Sequence, residues 1–175
     1  AVPFTDMAHS PALDVTLATY GYYLLVVDPE AEGGYLGAWN LSNMFNAIAG
    51  ITYAGHDSTY SYFYLLASSG SLYMIGVKPS GTVYELSLLK ILSTDSKYAI
   101  SGQHMNQSLY YDGNTGWIYW ARYDGESSSS LVAIHEETGE VVARGTFADD
   151  AWPVVGLYSA EPAQDQNRTG DFLWN

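Results

Sequence analysis

Three segments of the chain are apolar on both sides at strand periodicity: "YYLLVV" at 22–27, "YFYLLA" at 62–67 and "WIYWA" at 117–121. Successive side chains of a strand point to opposite faces of its sheet. In the last segment Trp117, Tyr119 and Ala121 therefore share one face, and Ile118 and Trp120 share the other. A strand of a half-solvated antiparallel sheet keeps one polar face, so a strand apolar on both faces is covered on both. Helices laid on a parallel sheet supply such cover, but this chain has almost no helical periodicity. Sheets packed face to face supply it without helices. The pattern predicts that Trp117 and Trp120 are both substantially buried, on opposite faces of one strand.

Each two-sided segment sits in a punctuated series. Strands are predicted near 108–112, 116–122, 130–135 and 140–147, cut by "DGNTG", "YDGESSSS" and "HEETGE". Glycine supplies positive φ at such breaks, and Asp, Asn and Ser bond locally to backbone. The same punctuation appears earlier, with strands near 50–54, 60–67, 71–77 and 82–90 broken by "AGHDS", "SSG" and "KPSG". Fourth strands differ from second strands: in "VYELSLL", Tyr84, Leu86 and Leu88 alternate with Glu85 and Ser87, as in an outer, half-exposed strand. Partial copies flank the two full ones, "GYYLLVVDPEAEGGYLGAWNLS" before and "VVGLYSAEPAQDQNRTGDFLWN" after. The chain thus reads as one all-β domain, 1–175, with units at about 15–49, 50–92, 108–147 and 154–175. One short helix is predicted over 41–48, where Leu41, Met44, Phe45 and Ile48 recur at helical spacing.

This punctuation, over roughly 15–175, resembles the divergent β-propeller blades of bacterial secreted and surface proteins. The resemblance implies antiparallel four-stranded blade-like repeats, in a β-propeller or a partial propeller, and a scaffold without an implied activity. Two full and two partial units fall short of the roughly four blades a ring needs. A larger propeller, two chains completing one ring, and another β architecture all remain open. The tail "GDFLWN" at 170–175 is expected to pair with a sheet edge, of the N-terminal "AVPFTDM" or of a partner chain, because an unsupported tail is normally polar.

Charge narrows the partners. The net charge is −13, with only 6 Lys and Arg, so the cationic contacts that nucleic-acid binding needs are missing. Anionic membrane surfaces are disfavoured for the same reason, and no apolar run approaches the ~20 residues of a membrane span. With no Cys, disulfides, thiolate metal sites and a Cys nucleophile are excluded. Ala1 is expected to be a trimmed end, which fits a matured secreted chain and a recombinant product alike. An extracellular or cell-surface setting is the expectation.

Candidate chemistry is sparse. In "VVDPEAEGG", Asp28, Glu30 and Glu32 alternate, a carboxylate supply suited to Ca²⁺, against which stands a plain solvated hairpin turn. Asp112 and Asp124, each followed by Gly, read as turns. His9, His56, His104 and His135 stand at no zinc-ligand spacing. There is no nucleophile elbow, no phosphate loop and no dinucleotide fingerprint. The 16 tyrosines and 5 tryptophans are the notable excess. Tyr35, Trp39, Tyr60, Tyr111, Tyr123 and Trp152 lie near predicted strand ends, where aromatics stack on sugars or anchor protein partners. The same side chains also fill space between blades. The expected function is a non-catalytic binding module for a protein or a glycan. The alternatives are a structural domain that completes a propeller by oligomerisation, and a glycan hydrolase or lyase with carboxylates at the ring centre.

Overall fold

The computed structural model describes residues 4–92, 98–100, 107–123, 129–146 and 157. It forms twelve strands. The first four are β1 (Phe4–Ser10), β2 (Val15–Tyr20), β3 (Tyr23–Val27) and β4 (Tyr35–Asn40). Then come β5 (Ile48–His56), β6 (Ser61–Ala67), β7 (Leu72–Ser80) and β8 (Val83–Leu92). The last are β9 (Ser108–Asp112), β10 (Trp117–Tyr123), β11 (Ser129–His135) and β12 (Val141–Thr146). They make three four-stranded antiparallel sheets, ordered β1-β2-β3-β4, β5-β6-β7-β8 and β9-β10-β11-β12. We call them blades 1, 2 and 3. The fold is all-β and blade-like, with no α-helix among the described residues. Among the described residues no helix is long and apolar enough to cross a membrane.

The sheets stack face to face in chain order, and the two-sided apolar strands are the reason. Every residue of β6 is buried. Phe63 and Leu65 point toward blade 1, where they meet Leu17, Leu24 and Val26. Tyr62, Tyr64 and Leu66 point toward blade 3, where they meet Leu109, Ile118, Trp120, Val132 and Ile134. Burying one such aliphatic or aromatic side chain contributes about 1.5–3 kcal/mol, so blade 2 is held from both sides. The first strands of consecutive blades, β1, β5 and β9, pack against one another and run parallel at the inner edge of the stack. The last strands lie outermost.

The N-terminal sheet is complete, not partial, and it begins well before residue 15. Its first strand, "FTDMAHS", carries Thr, Asp, His and Ser and shows no apolar alternation. It is held by polar bonds to its neighbours, which leave no hydrophobic signal. The helix predicted over 41–48 is a single turn. Met44 and Phe45 N–H both donate to the Leu41 carbonyl at 2.9 Å, and the turn stops there. The next backbone groups are claimed by the sheets: Ile48 N–H donates to Gly21 O at 2.8 Å, and Ser68 N–H to Ala47 O at 3.1 Å. Leu41, Phe45 and Ile48 are still buried, plugging the seam between blades 1 and 2.

Trp120 is fully buried between blades 2 and 3, whereas Trp117 is only half-buried. The two do face opposite ways, but the described residues cover one side more fully than the other. The Trp117 ring lies edge-on to His135, its partner on β11, with centroids 5.0 Å apart. The unit expected at 154–175 and the tail at 170–175 lie outside the described residues, apart from Leu157.

Candidate functional site

Polar side chains cluster where inner strands meet. At the joint of blades 1 and 2, Asp6 Oδ2 accepts from Ile51 N–H at 3.0 Å and its Oδ1 from Met7 N–H at 2.9 Å. Thr5 Oγ1 donates to Ile48 O at 2.9 Å and also bonds Thr19 Oγ1. Ser10 and Ser61 hydroxyls meet at 2.6 Å, fully buried. At the joint of blades 2 and 3, Thr52 Oγ1 accepts from Tyr111 N–H at 3.0 Å, and Gln107 N–H donates to Ala49 O at 3.2 Å. Gly50 lies under both joints. A Cβ built there would stand 2.7 Å from the Gln107 carbonyl oxygen and 3.6 Å from Asp6 Oδ2, so the three inner strands converge over a missing side chain.

A second polar clasp lies deeper between blades 2 and 3. The buried Glu136 carboxylate accepts from the Tyr64 hydroxyl at 3.0 Å and from the Tyr111 hydroxyl. Lys90 Nζ donates to the Glu136 carbonyl at 2.6 Å. The indole N–H of Trp120 donates to Gln107 Oε1 at 2.7 Å, also buried. The Tyr64 and Lys90 bonds to Glu136 cross the seam from blade 2, while the Tyr111–Glu136 and Trp120–Gln107 bonds lie within blade 3, so each of these buried polar groups has a partner, as a close-packed interior requires. The bonds to Glu136 from Tyr64 and Lys90 fix blade 3 against blade 2.

The six aromatic candidates do not form one shelf. Tyr111 is buried by the clasp just described, its hydroxyl on Glu136, so its ring serves the core. Its place at a strand end concealed that role, because Glu136 reaches it from a turn 25 residues later. Tyr60 is half-buried over Gly76, with Lys78 Nζ 5.5 Å from its ring centroid. Its position depends on Asp57, whose Oδ1 accepts from Thr59 and Tyr60 N–H at 2.7 Å and whose Oδ2 takes the Tyr62 hydroxyl. Burial pulls the Asp57 carboxyl upward, but the Tyr62, Tyr60 and Thr59 bonds and nearby His56 outweigh it and hold the group below its ordinary value. Tyr123 is half-buried and gives its carbonyl to Gln107 Nε2 at 3.2 Å. Trp152 lies outside the described residues. Only Tyr35 and Trp39 share an element, the outer strand β4. Tyr35 lines a cavity of about 590 Å³ on the face of blade 1 turned away from blade 2, with Met7, Ala18, Leu25 and Val27.

Asp28, Glu30 and Glu32 occupy the β3–β4 turn. Asp28 Oδ1 accepts from Glu30 N–H at 2.9 Å, and Asp28 N–H donates to Gly34 O at 2.9 Å. The turn closes on these bonds, with Gly33 and Gly34 both at positive φ, 82° and 83°. Antiparallel order puts this turn at the same end of the stack as the β1–β2, β5–β6, β9–β10 and β11–β12 turns. Asp14, Asp57, Asp112, Glu137 and Glu140 lie in those turns, so this end is strongly acidic.

The outer strands differ in character. Among the described residues seven large apolar side chains stand exposed, and five of them, Tyr35, Leu36, Val83, Leu88 and Ile91, lie on β4 and β8. Leu36 is 66% exposed and Val83 62%. Leu36 and Val83, together with Val26, Trp39 and Tyr84, line a groove of about 170 Å³ between the outer strands of blades 1 and 2. Sequence reading did not single out this rim, although the alternation in "VYELSLL" marked β8 as half-exposed.

No protein-family description and no curated protein matches the chain. Among solved structures it is similar to the crystal structure of the Myceliophteria thermophila Cps50 (Swd1) beta-propeller domain. The TM-score is 0.48 at 12% identity, covering 81% of this chain and 40% of that one. The chain thus spans less than half of that domain's length.

Proposed function

We propose that the chain is a non-catalytic binding and assembly module that docks a protein on the rim formed by its outer strands. The observation that carries this reading is the placement of exposed apolar side chains on β4 and β8, at the edges of consecutive sheets. Contiguous apolar surface on sheet edges favours protein association. The aromatic groove floor, Trp39 and Tyr84, offers the large anchors that dominate such contacts. The acidic end adds a preference for a cationic partner over nucleic acid or an anionic membrane. Glycan binding is the lesser branch, since Tyr111 and Tyr60 are engaged within and between blades, and Tyr35 and Trp39, though both on β4, line separate cavities. Ca²⁺ at Asp28, Glu30 and Glu32 forms no part of this proposal; Asp28 Oδ1 accepts from Glu30 N–H within the turn. The extracellular or cell-surface setting belongs to the same proposal, supported by the Ser- and Asn-rich turns and the scaffold type.

The test is a charge placed on the rim. Leu36→Lys and Val83→Lys, singly and together, are compared with wild type by sedimentation, by photo-cross-linking from position 39 and on a glycan array. The proposal expects a specific protein adduct or self-association that weakens about tenfold or more with each Lys. Folding stability should stay within about 0.5 kcal/mol, since both sites are surface positions. Retention on glycans dependent on Trp39, with protein contacts untouched by either Lys, would transfer the function to the glycan branch.

A further inference from the structure

We propose that the joint between blades 1 and 2 is a pH-responsive clasp closed by the Asp6 carboxyl group, tighter in mild acid than at neutral pH. Asp6 sits on the inner strand of blade 1, and its side chain reaches the backbone of blade 2's inner strand at Ile51. It bridges the two sheets where three inner strands converge over Gly50. The ion pairs among the described residues, His9–Asp14 and Lys78–Glu85, do not include it.

Two effects oppose one another at this carboxyl. Burial favours its neutral form, while the N–H groups of Ile51 and Met7 favour the anion. Burial prevails and pushes the group up to about 6. Among the described residues, the titratable groups on the surrounding strands are His9 on β1, Tyr20 on β2, Tyr35 on β4, which lines the same cavity as Asp6, Tyr53 and His56 on β5, and Tyr110, Tyr111 and Asp112 on β9. Tyr20 is the nearest by register, one residue past the Thr19 that pairs with Asp6. His9 and His56 lie toward the far ends of their strands, and His9 pairs with Asp14.

The sign follows from linkage. A carboxyl held above its free value binds a proton more readily when the joint is closed, so closing is favoured below the free value. That advantage is lost as pH rises through about 6. Each unit of difference between closed and open forms is a tenfold change in the opening equilibrium. The window from pH 5 to pH 7 holds about tenfold of this change, the remainder of the shift acting below pH 5.

This clasp is independent of the rim on β4 and β8, and its test shares no variant with that one. Amide NMR and hydrogen exchange are followed on the full chain from acid to neutral pH, in wild type, Asp6→Asn and Asp6→Thr. The Thr variant keeps a neutral acceptor, as Thr52 already does for Tyr111 in the next joint. The Met7 and Ile51 amide resonances should titrate together, with a midpoint near 6. Exchange at Ile51, corrected for its intrinsic pH dependence, should rise about tenfold from pH 5 to pH 7 in wild type and stay flat in both variants. If Asp6→Asn fails to fold, the wild-type titration and Asp6→Thr still decide. A midpoint near the ordinary carboxylate value, or an equal rise in Asp6→Thr, overturns the proposal.

Discussion

Trp120→Ala lowers the unfolding free energy by about 3–5 kcal/mol, the cost of emptying a fully buried tryptophan site. Two features put the expected value at the upper end. The ring fills the seam between blades 2 and 3 among Tyr64, Leu109, Ile118 and Val132, which cannot collapse into the space without moving a sheet. Its N–H also donates to Gln107 Oε1, and Gln107 is itself buried, so truncation also removes a buried hydrogen bond worth about 0.5–1.5 kcal/mol. Trp117→Ala on the same strand is the internal control. Its ring is half-buried, packed chiefly against His135, and the loss should be clearly smaller. Urea denaturation of the two variants measures the difference, and equal losses would mean that both faces of β10 are covered alike.

Gly50→Val is the second severe change. The inserted Cβ would meet the Gln107 carbonyl at 2.7 Å and Leu109 Cβ at 3.3 Å. A backbone carbonyl cannot swing aside as the end of a long side chain can, so β9 must retreat from β5. Overpacking of this kind costs about 1–3 kcal/mol, and a branched side chain at a backbone contact belongs at or above the top of that range. The retreat would also stretch the Gln107 to Ala49 and Tyr111 to Thr52 bonds. The expected signature is therefore a destabilised blade 2–blade 3 joint, seen as faster hydrogen exchange at Tyr111. Gly37→Val, at a position with nothing within 4 Å of the built Cβ, should cost far less.

The strand framework was legible because it is written in local patterns. Turn clusters bounded β5 to β12 to within a few residues, and the two-sided apolar stretch of β6 announced a strand buried on both faces. What was not legible depends on partners distant in sequence. β1 is a polar strand whose Thr5, Asp6 and Ser10 are matched by Thr19, Ile51 and Ser61, and nothing in "FTDMAHS" alone shows that. The helical spacing at 41–48 was real, but the sheets captured the backbone after one turn. Tyr111 looked like a loop aromatic until Glu136 reached it from the β11–β12 turn, 25 residues later. For Trp117, periodicity showed which way the ring points, and only packing could show how much of it is covered. The candidate rim was half visible, through the alternation of β8, while its meeting with β4 required the stacking of blades.

That stacking, sheet on sheet through parallel inner strands, is the central claim, and one engineered pair tests it directly. The hydroxyls of Ser10 on blade 1 and Ser61 on blade 2 lie 2.6 Å apart in a fully buried site, although the residues are 51 positions apart in sequence. The chain has no Cys, so thiols placed there are read without background. In Ser10→Cys combined with Ser61→Cys, mild oxidation of the folded protein should form a disulfide, removing two hydrogens by mass and both free thiols. The oxidised form should melt higher than the reduced one, because the link closes a long loop. Two thiols that stay free in the native protein, and pair only after unfolding, would contradict the stacked arrangement of blades 1 and 2.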